Sequence, residues 1–244
     1  METPRPHLFG LLAGLFLSAG LCFASLVLAG TWTRLHESQV INVTGSARRD
    51  VKADLVVWKA SFTVQAATLL DAHKQLKADQ AKVEAWLRTH MATAFTVLPV
   101  QIHEVYTSTH EDGEKVSRLT GYRLSQDIEL SSPDIELVPR LAGESTNLLE
   151  QGVAFVSDSI EFIYTKAGEA KIEMMADATK DARARAEQIA AQGGRAIKEL
   201  RTAHMGVVQI NPRYSTATSW EGNNDTTSPD KTIVTTVTAV FSLR

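Results

Sequence analysis

The sequence predicts an α+β fold: antiparallel sheet(s) packed by amphipathic helices, in the order ββαββ then αβαββ, preceded by one N-terminal transmembrane helix. Three observations predict it. Leu8 to Ala29 carries no charge, several later runs alternate apolar with polar residues, and stretches of helical period separate those runs. The chain has 244 residues, with 25 Lys+Arg against 28 Asp+Glu and a net charge of -3. No basic excess exists to release counterions from a phosphate backbone, so nucleic acid is excluded as an expected partner.

At about 1.5 Å per residue the run Leu8 to Ala29 spans roughly 33 Å, matching a hydrocarbon core of roughly 30 Å. Two readings compete. One is an uncleaved anchor at 8–29 behind a cytoplasmic N-terminus at 1–7, and the other is a signal peptide cleaved after Val27-Leu28-Ala29. Signal-peptide apolar regions usually run about 7 to 15 residues, which favours the anchor. Both readings export the remainder. Arg5 precedes the segment while Arg34, Arg48, Arg49 and Lys52 follow it, so charge asymmetry gives orientation little support. Gly10, Gly14, Ser18 and Cys22 recur every four residues and form a possible membrane-helix interface, or a chance product of membrane-helix composition.

Residues 30–39 read as a tether, and the exported domain occupies 40–244. A first strand is predicted at Val40 to Ser46, with Gly45 to Ala53 as a hairpin connection or bulged bend. A long strand follows, in which Val56, Trp58, Ala60, Phe62, Val64 and Ala66 share one face. From Leu69 a helix is predicted with Leu69, Leu70, Leu76, Val83, Trp86 and Leu87 inward. Leu98 to Thr107 and Leu119 to Leu130 read as a hairpin around Asp112-Gly113. Ser132-Pro133-Asp134 starts a helix with Ser132 as N-cap, and Pro139 should kink or split it.

A strand at Val153 to Tyr164 precedes a helix closed by Gly193-Gly194, with Ile172, Met175, Thr179, Ala182, Ala186, Ile189 and Gly193 on an inner face that reads as mostly alanine and should lie close against a sheet. Strands at Arg195 to Ile210 and Thr232 to Leu243 finish the chain. Between them, residues 211–231 read as a long mobile loop too polar to pack. Its Tyr214 and Trp220 either fold back on the domain or form a partner-contact loop.

Val43-x-Gly45 followed by Val51-Lys52-Ala53-Asp54, the late helix Ala176-Asp177-Ala178-x-x-x-Ala182-x-x-x-Ala186-Glu187 with Gly193-Gly194, and Gly206-Val207-Val208 resemble the SIMPL-domain family over roughly residues 40 to 244. The resemblance implies a bacterial envelope protein, periplasmic or tethered by an N-terminal membrane segment, linked to oxidative-stress defence and in some members assembled into large rings. The family carries no established catalytic residues, so the resemblance transfers none.

The residues themselves offer little chemistry. Seven histidines are scattered without the His-x-x-x-His spacing of a zinc helix, and His103-Glu104 with His110-Glu111-Asp112 reads as a solvated loop. No catalytic, cofactor-binding or metal residue is expected. Asp177, Asp181, Arg183, Arg185 and Glu187 read as a solvated helix face or a contact surface between subunits. Cys22 is the single cysteine, so thiol chemistry is absent from residues 40–244, and Met91, Met174, Met175 and Met205 remain oxidisable there.

The expected function is therefore a non-enzymatic, membrane-anchored and self-associating envelope protein supporting envelope or oxidative-stress tolerance. It is placed as a single-pass protein of the bacterial inner membrane, held through 8–29 with its C-terminal domain in the periplasm, or secreted to the periplasm after signal cleavage. It should form a homo-oligomer. The alternatives are a binding module for a small apolar ligand or an unidentified envelope protein, and a hydrolase using 211–231 as a lid.

Overall fold

The computed structural model describes residues 8–36, 39–90, 95–111 and 114–244. It is α+β with antiparallel sheets, as the alternation predicts. The elements are α1 (Leu8–His36), β1 (Val40–Lys52), β2 (Leu55–Ala66), α2 (Leu69–Thr89), β3 (Phe95–Val97), β4 (Gln101–Glu111), β5 (Glu114–Ser132), α3 (Leu137–Glu144), α4 (Asn147–Glu150), β6 (Phe155–Ile163), α5 (Ala167–Gln192), β7 (Ile197–Met205), β8 (Gln209–Pro212) and β9 (Asp230–Leu243). One sheet has the order β1-β9-β7, with β8 also on β9. The other has the order β3-β5-β2-β6, with β4 also on β5. The chain divides into two compact units. The first holds Met1–Ala47, Met175–Gly206 and Thr236–Arg244, and the second holds Arg48–Met174 and Val207–Thr235.

In the first unit, α1 contains an apolar span, Leu12–Trp32, long enough to cross a membrane and with none of its surface buried. A helix of this kind serves either as an anchor or as a signal sequence. It continues to His36, so residues 30–36 of the expected tether are helical. The expected cytoplasmic segment 1–7 lies outside the described residues. Gly10, Gly14, Ser18 and Cys22 all fall on this helix and are exposed.

The sheet of this unit is covered by α5, whose alanine face lies close to it as expected, while the larger residues predicted for that face require correction. Ala178, Ala182, Ala186 and Ala190 are buried, whereas Met175 and Ile189 are exposed. The reason is distance. A Cβ built on Gly45 of β1 would overlap the Ala178 carbonyl oxygen and the Ala182 backbone nitrogen, so the helix backbone rides on the strand. Along this contact with β1 the buried positions are alanines, and Met175 and Ile189 lie at its flanks. Val43, Ala239 and Phe241 complete this small core.

Asp181 fastens the contact. Its Oδ2 accepts the Ser46 N–H at 2.8 Å and the Arg185 Nε–H at 2.9 Å. The Ser46 N–H, then Arg185, hold the carboxyl below its ordinary value. Asp181 is thus a strand-to-helix pin, while Arg183 and Glu187 pair at 3.0 Å on the exposed face. Gly194, at φ 68°, closes α5.

Ala182→Leu and Ala186→Leu should each destabilise the protein by roughly 1 to 3 kcal/mol in urea melts, because the larger side chain forces helix and strand apart. Ile189→Ala should stay within about 0.5 kcal/mol. Equal effects at all three positions would show that the alanine face is not the contact.

The second unit is built on β2, whose inner face Val56, Trp58, Ala60, Phe62 and Val64 is buried as the alternation requires. β2 pairs with β5 from Val56↔Ser132 to Ala66↔Tyr122 and with β6 on its other side. Trp58 donates Nε1–H to Ser157 Oγ at 2.8 Å and meets the Phe155 ring edge-on at 5.8 Å. Over this face lie Leu76, Val83, Trp86 and Leu87 of α2, with Val138, Leu141 and Leu148 of α3 and α4. Leu69 and Leu70 were expected inward and are exposed. They occupy the first turn of α2, where Ala72 is the first residue to reach the core.

At the start of α3, Ser132 Oγ accepts the Asp134 N–H, but it is Asp134 Oδ1 that accepts the N–H groups of Glu136 and Leu137. Pro139 does not split the helix, because it falls in the first turn, where a backbone N–H has no intrahelical partner to lose. The break comes later, at Ser145 and Thr146. β1 also runs on to Lys52, through residues expected to bend.

Candidate functional site

Two features stand out in the second unit, an unsupported hairpin and a cleft built by the polar segment before β9. The hairpin is β4 with β5, paired from Gln101↔Ser125 to Glu111↔Glu114. β2 reaches only as far as Tyr122 along β5, so residues 105–111 and 114–121 pair only with each other, as a two-stranded ribbon. Its near end is tight, since a Cβ on Gly121 would sit 2.6 Å from the Ala66 carbonyl oxygen. Thr107 and Thr120 meet across the ribbon at 3.3 Å, and Ser108 and Ser117 at 2.9 Å. Tyr106 and Leu119 are exposed upon it. Glu104 accepts a hydrogen bond from the Tyr106 hydroxyl and so holds that phenol above its ordinary value.

Along its outer edge β4 has no strand partner among the described residues. The edge contains neither lysine nor proline, and a single irregularity at Val105/Tyr106 interrupts it. Beside it, Leu69, Leu70, Val100, Ile102 and Leu124 line an apolar hollow of about 540 Å³. The Asp112-Gly113 turn lies outside the described residues, and so does part of the His103 to Asp112 cluster. Among the described residues no group of three His, Cys, Asp or Glu side chains could hold a metal ion.

The segment 211–231 was expected to be too polar to pack, and the structure corrects this. Its polar groups are the packing. Gln209 donates to the Ser219 carbonyl at 2.7 Å and accepts from the N–H groups of Ser219 and Asn223. Asn211 donates to the Ala217 carbonyl at 2.7 Å and accepts from the Asn223 amide at 2.8 Å. The backbone returns along β8, with Ile210 N–H on the Asn223 carbonyl and Asp225 N–H on the Ile210 carbonyl. Gly222, at φ 95°, makes the turn, and a Cβ there would stand 2.9 Å from the Val208 carbonyl.

Beneath this lies an ion pair that sequence reading did not anticipate. Lys231 is 1% exposed, and its Nζ donates to the Asp225 backbone carbonyl at 2.5 Å and to its Oδ2 at 3.1 Å. Burial pushes the Asp225 carboxyl up. The Thr227 hydroxyl and N–H, together with Lys231, outweigh burial and hold it below its ordinary value. The only sequence signal was a lysine out of phase with its strand's exposed positions. The segment is also tied outward, since its Thr226 and Pro229 carbonyls accept the N–H groups of Phe162 and Ala53. Tyr214 and Trp220 do not fold back, being 77% and 85% exposed, and the Arg213 guanidinium lies 5.1 Å from the Tyr214 ring centroid.

Between this segment, the end of β6 and the first turns of α5 is a cleft of about 660 Å³. Phe162, Val208 and Ile210 contribute its apolar lining, and Tyr164, Lys171, Glu221 and Asn224 its polar lining. The start of α5 is held by Asp54, whose carboxylate accepts the N–H and hydroxyl of Thr165 at 2.7 and 2.8 Å. Burial raises this carboxyl, and the Thr165 bonds outweigh it, leaving it below its ordinary value.

The residues that carried the family resemblance now acquire contacts, because Val43 and Gly45 meet Ala178, Ala182 and Ala186 across one strand-to-helix interface. A search of curated proteins finds no match. A family model described as "SIMPL: Protein of unknown function (DUF541)" matches residues 41–241, and the chain accordingly belongs to the SIMPL family.

Proposed function

We infer that the chain is a non-enzymatic envelope protein, inserted through α1 in the bacterial inner membrane, whose periplasmic domain self-associates through the β4 edge and contributes to oxidative-stress tolerance. The two-stranded ribbon carries this reading. Two strands alone are marginally stable in water, and a long edge without lysine or proline is a template for another strand. The hollow beside it adds exposed Leu69, Leu70 and Ile102, apolar surface of the kind that marks protein contacts. The place in stress tolerance rests on the likeness to envelope members of the family. With Cys22 inside α1, that role does not run through a thiol of the exported domain.

The test is the mass of the full chain in detergent or lipid nanodiscs, with Ile102→Lys and Tyr106→Lys as edge-blocking variants. The wild type should be oligomeric, and the double variant should shift to monomer while melting within a few degrees of the wild type, since both side chains are exposed. A monomeric wild type, or an oligomer indifferent to both lysines, would refute assembly through this edge.

A further inference from the structure

The cleft between the 221–226 segment, β6 and α5 has the size of a small-molecule site, about 660 Å³ against roughly 300 to 1,000 Å³ for known ligand pockets. Its walls are fixed by the amide network of Gln209 and Asn211 and by the Asp54 bonds to Thr165, so it is formed in advance of any ligand. Five of its polar groups make no side-chain hydrogen bond or ion pair among the described residues. These are the Lys171 ammonium, the Glu221 carboxylate, the Tyr164 hydroxyl, the Asn224 carboxamide and the Thr226 hydroxyl.

Charge bookkeeping decides what would satisfy them. Of the charged groups around the cleft, Asp225 is spent on Lys231, and Glu161 pairs with Lys59 at 3.3 Å. That leaves one cation, Lys171 on the α5 wall, and one anion, Glu221 on the 221–226 wall. A polyanion would meet three carboxylates for one free ammonium, and a polycation finds one free carboxylate. A ligand carrying one charge of each sign answers both walls, and the lining of Phe162, Val208 and Ile210 takes an apolar side chain between them.

We propose that this cleft binds a zwitterion of the amino-acid class, a short peptide with free ends, with its carboxylate on Lys171, its ammonium on Glu221 and an apolar side chain over Phe162 and Ile210. Tyr164 and Asn224 supply hydrogen bonds to the backbone amides between the ends. None of these residues belongs to the β4 edge, so the binding site and the assembly surface stand or fall separately.

The tripeptide Ala-Leu-Ala is the probe, titrated calorimetrically into the full chain in nanodiscs, beside its N-acetylated and C-amidated forms. The free peptide should saturate at or below about 1 mM, and each blocked form should bind about tenfold more weakly, about 1.4 kcal/mol. Lys171→Gln should remove the preference for a free carboxylate, and Glu221→Gln the preference for a free amine. Neither should shift the melting temperature, because both side chains are exposed and unpartnered among the described residues. No saturation by about 10 mM, equal binding of the blocked forms, or preferences that survive both variants would overturn the proposal. So would tighter binding of a neutral chitin trisaccharide, which would identify the cleft as a sugar site.

Discussion

Replacing Lys231 by methionine is expected to destabilise the protein by about 3 to 5 kcal/mol, the loss typical when one partner of a buried ion pair is removed. The methionine has nearly the length of the lysine stem but leaves Asp225 without its counter-charge in a site where water does not reach the lysine. Asp225→Asn should cost less, since the Asp225 backbone carbonyl still accepts from Lys231. The double variant should recover part of the loss, because no isolated charge then remains. The same pair predicts acid lability. Asp225 and Asp54 are both held below the ordinary 3.8 in the folded chain, so folding favours their ionised forms. Their contribution is complete above 3.8 and is lost as pH falls through the lower folded values. Urea melts from pH 7 downward should show stability falling at the acid end, with a shallower fall in Asp225→Asn. Identical pH profiles for that variant and the wild type would remove Asp225 from the account.

Gly45→Ala should be the second large effect, a loss of about 3 kcal/mol, at the upper end of the range for overpacking. A single methyl group is enough because the atoms it meets are backbone: the Ala178 carbonyl, the Ala182 nitrogen and, at 2.7 Å, the Ala182 Cα. No rotamer change can move them away. Ala182→Gly therefore should not rescue Gly45→Ala, although it removes a side chain from the same contact. Rescue in a thermal melt of the double variant would mean that side-chain packing, not backbone proximity, sets the spacing.

The sequence was legible where one face of a strand is buried and the other is wet, as in β2 and β9, because alternation reports that asymmetry directly. On α5 the close alanine contact at Ala182 and Ala186 was legible, but hydrophobicity also singles out Ile172, Met175 and Ile189, which the structure leaves exposed. The sequence misled more fully on 211–231. Hydropathy treats glutamine, asparagine and lysine as groups that need water, yet Gln209, Asn211 and Lys231 are buried because backbone carbonyls and one carboxylate replace that water. Such bonds are made across many residues and leave no periodic trace. The cleft depends on them, so neither it nor Lys171 and Glu221 could be read from spacing, whereas the hairpin of β4 and β5 was plain from its two alternating runs. That the ribbon outruns β2 is a matter of relative strand length and becomes visible only in the pairing.

The short junction after α1 has a consequence for how copies meet. The helix ends at His36 and β1 begins at Val40, four Cα steps later, a reach of at most about 14 Å. For a chain inserted through α1, every copy is tethered close to the bilayer and moves laterally with its helix. Encounters are then governed by surface density instead of bulk concentration. An attraction too feeble to hold two copies together in dilute solution can suffice in that plane, and release of the domain from its helix would act as a dilution.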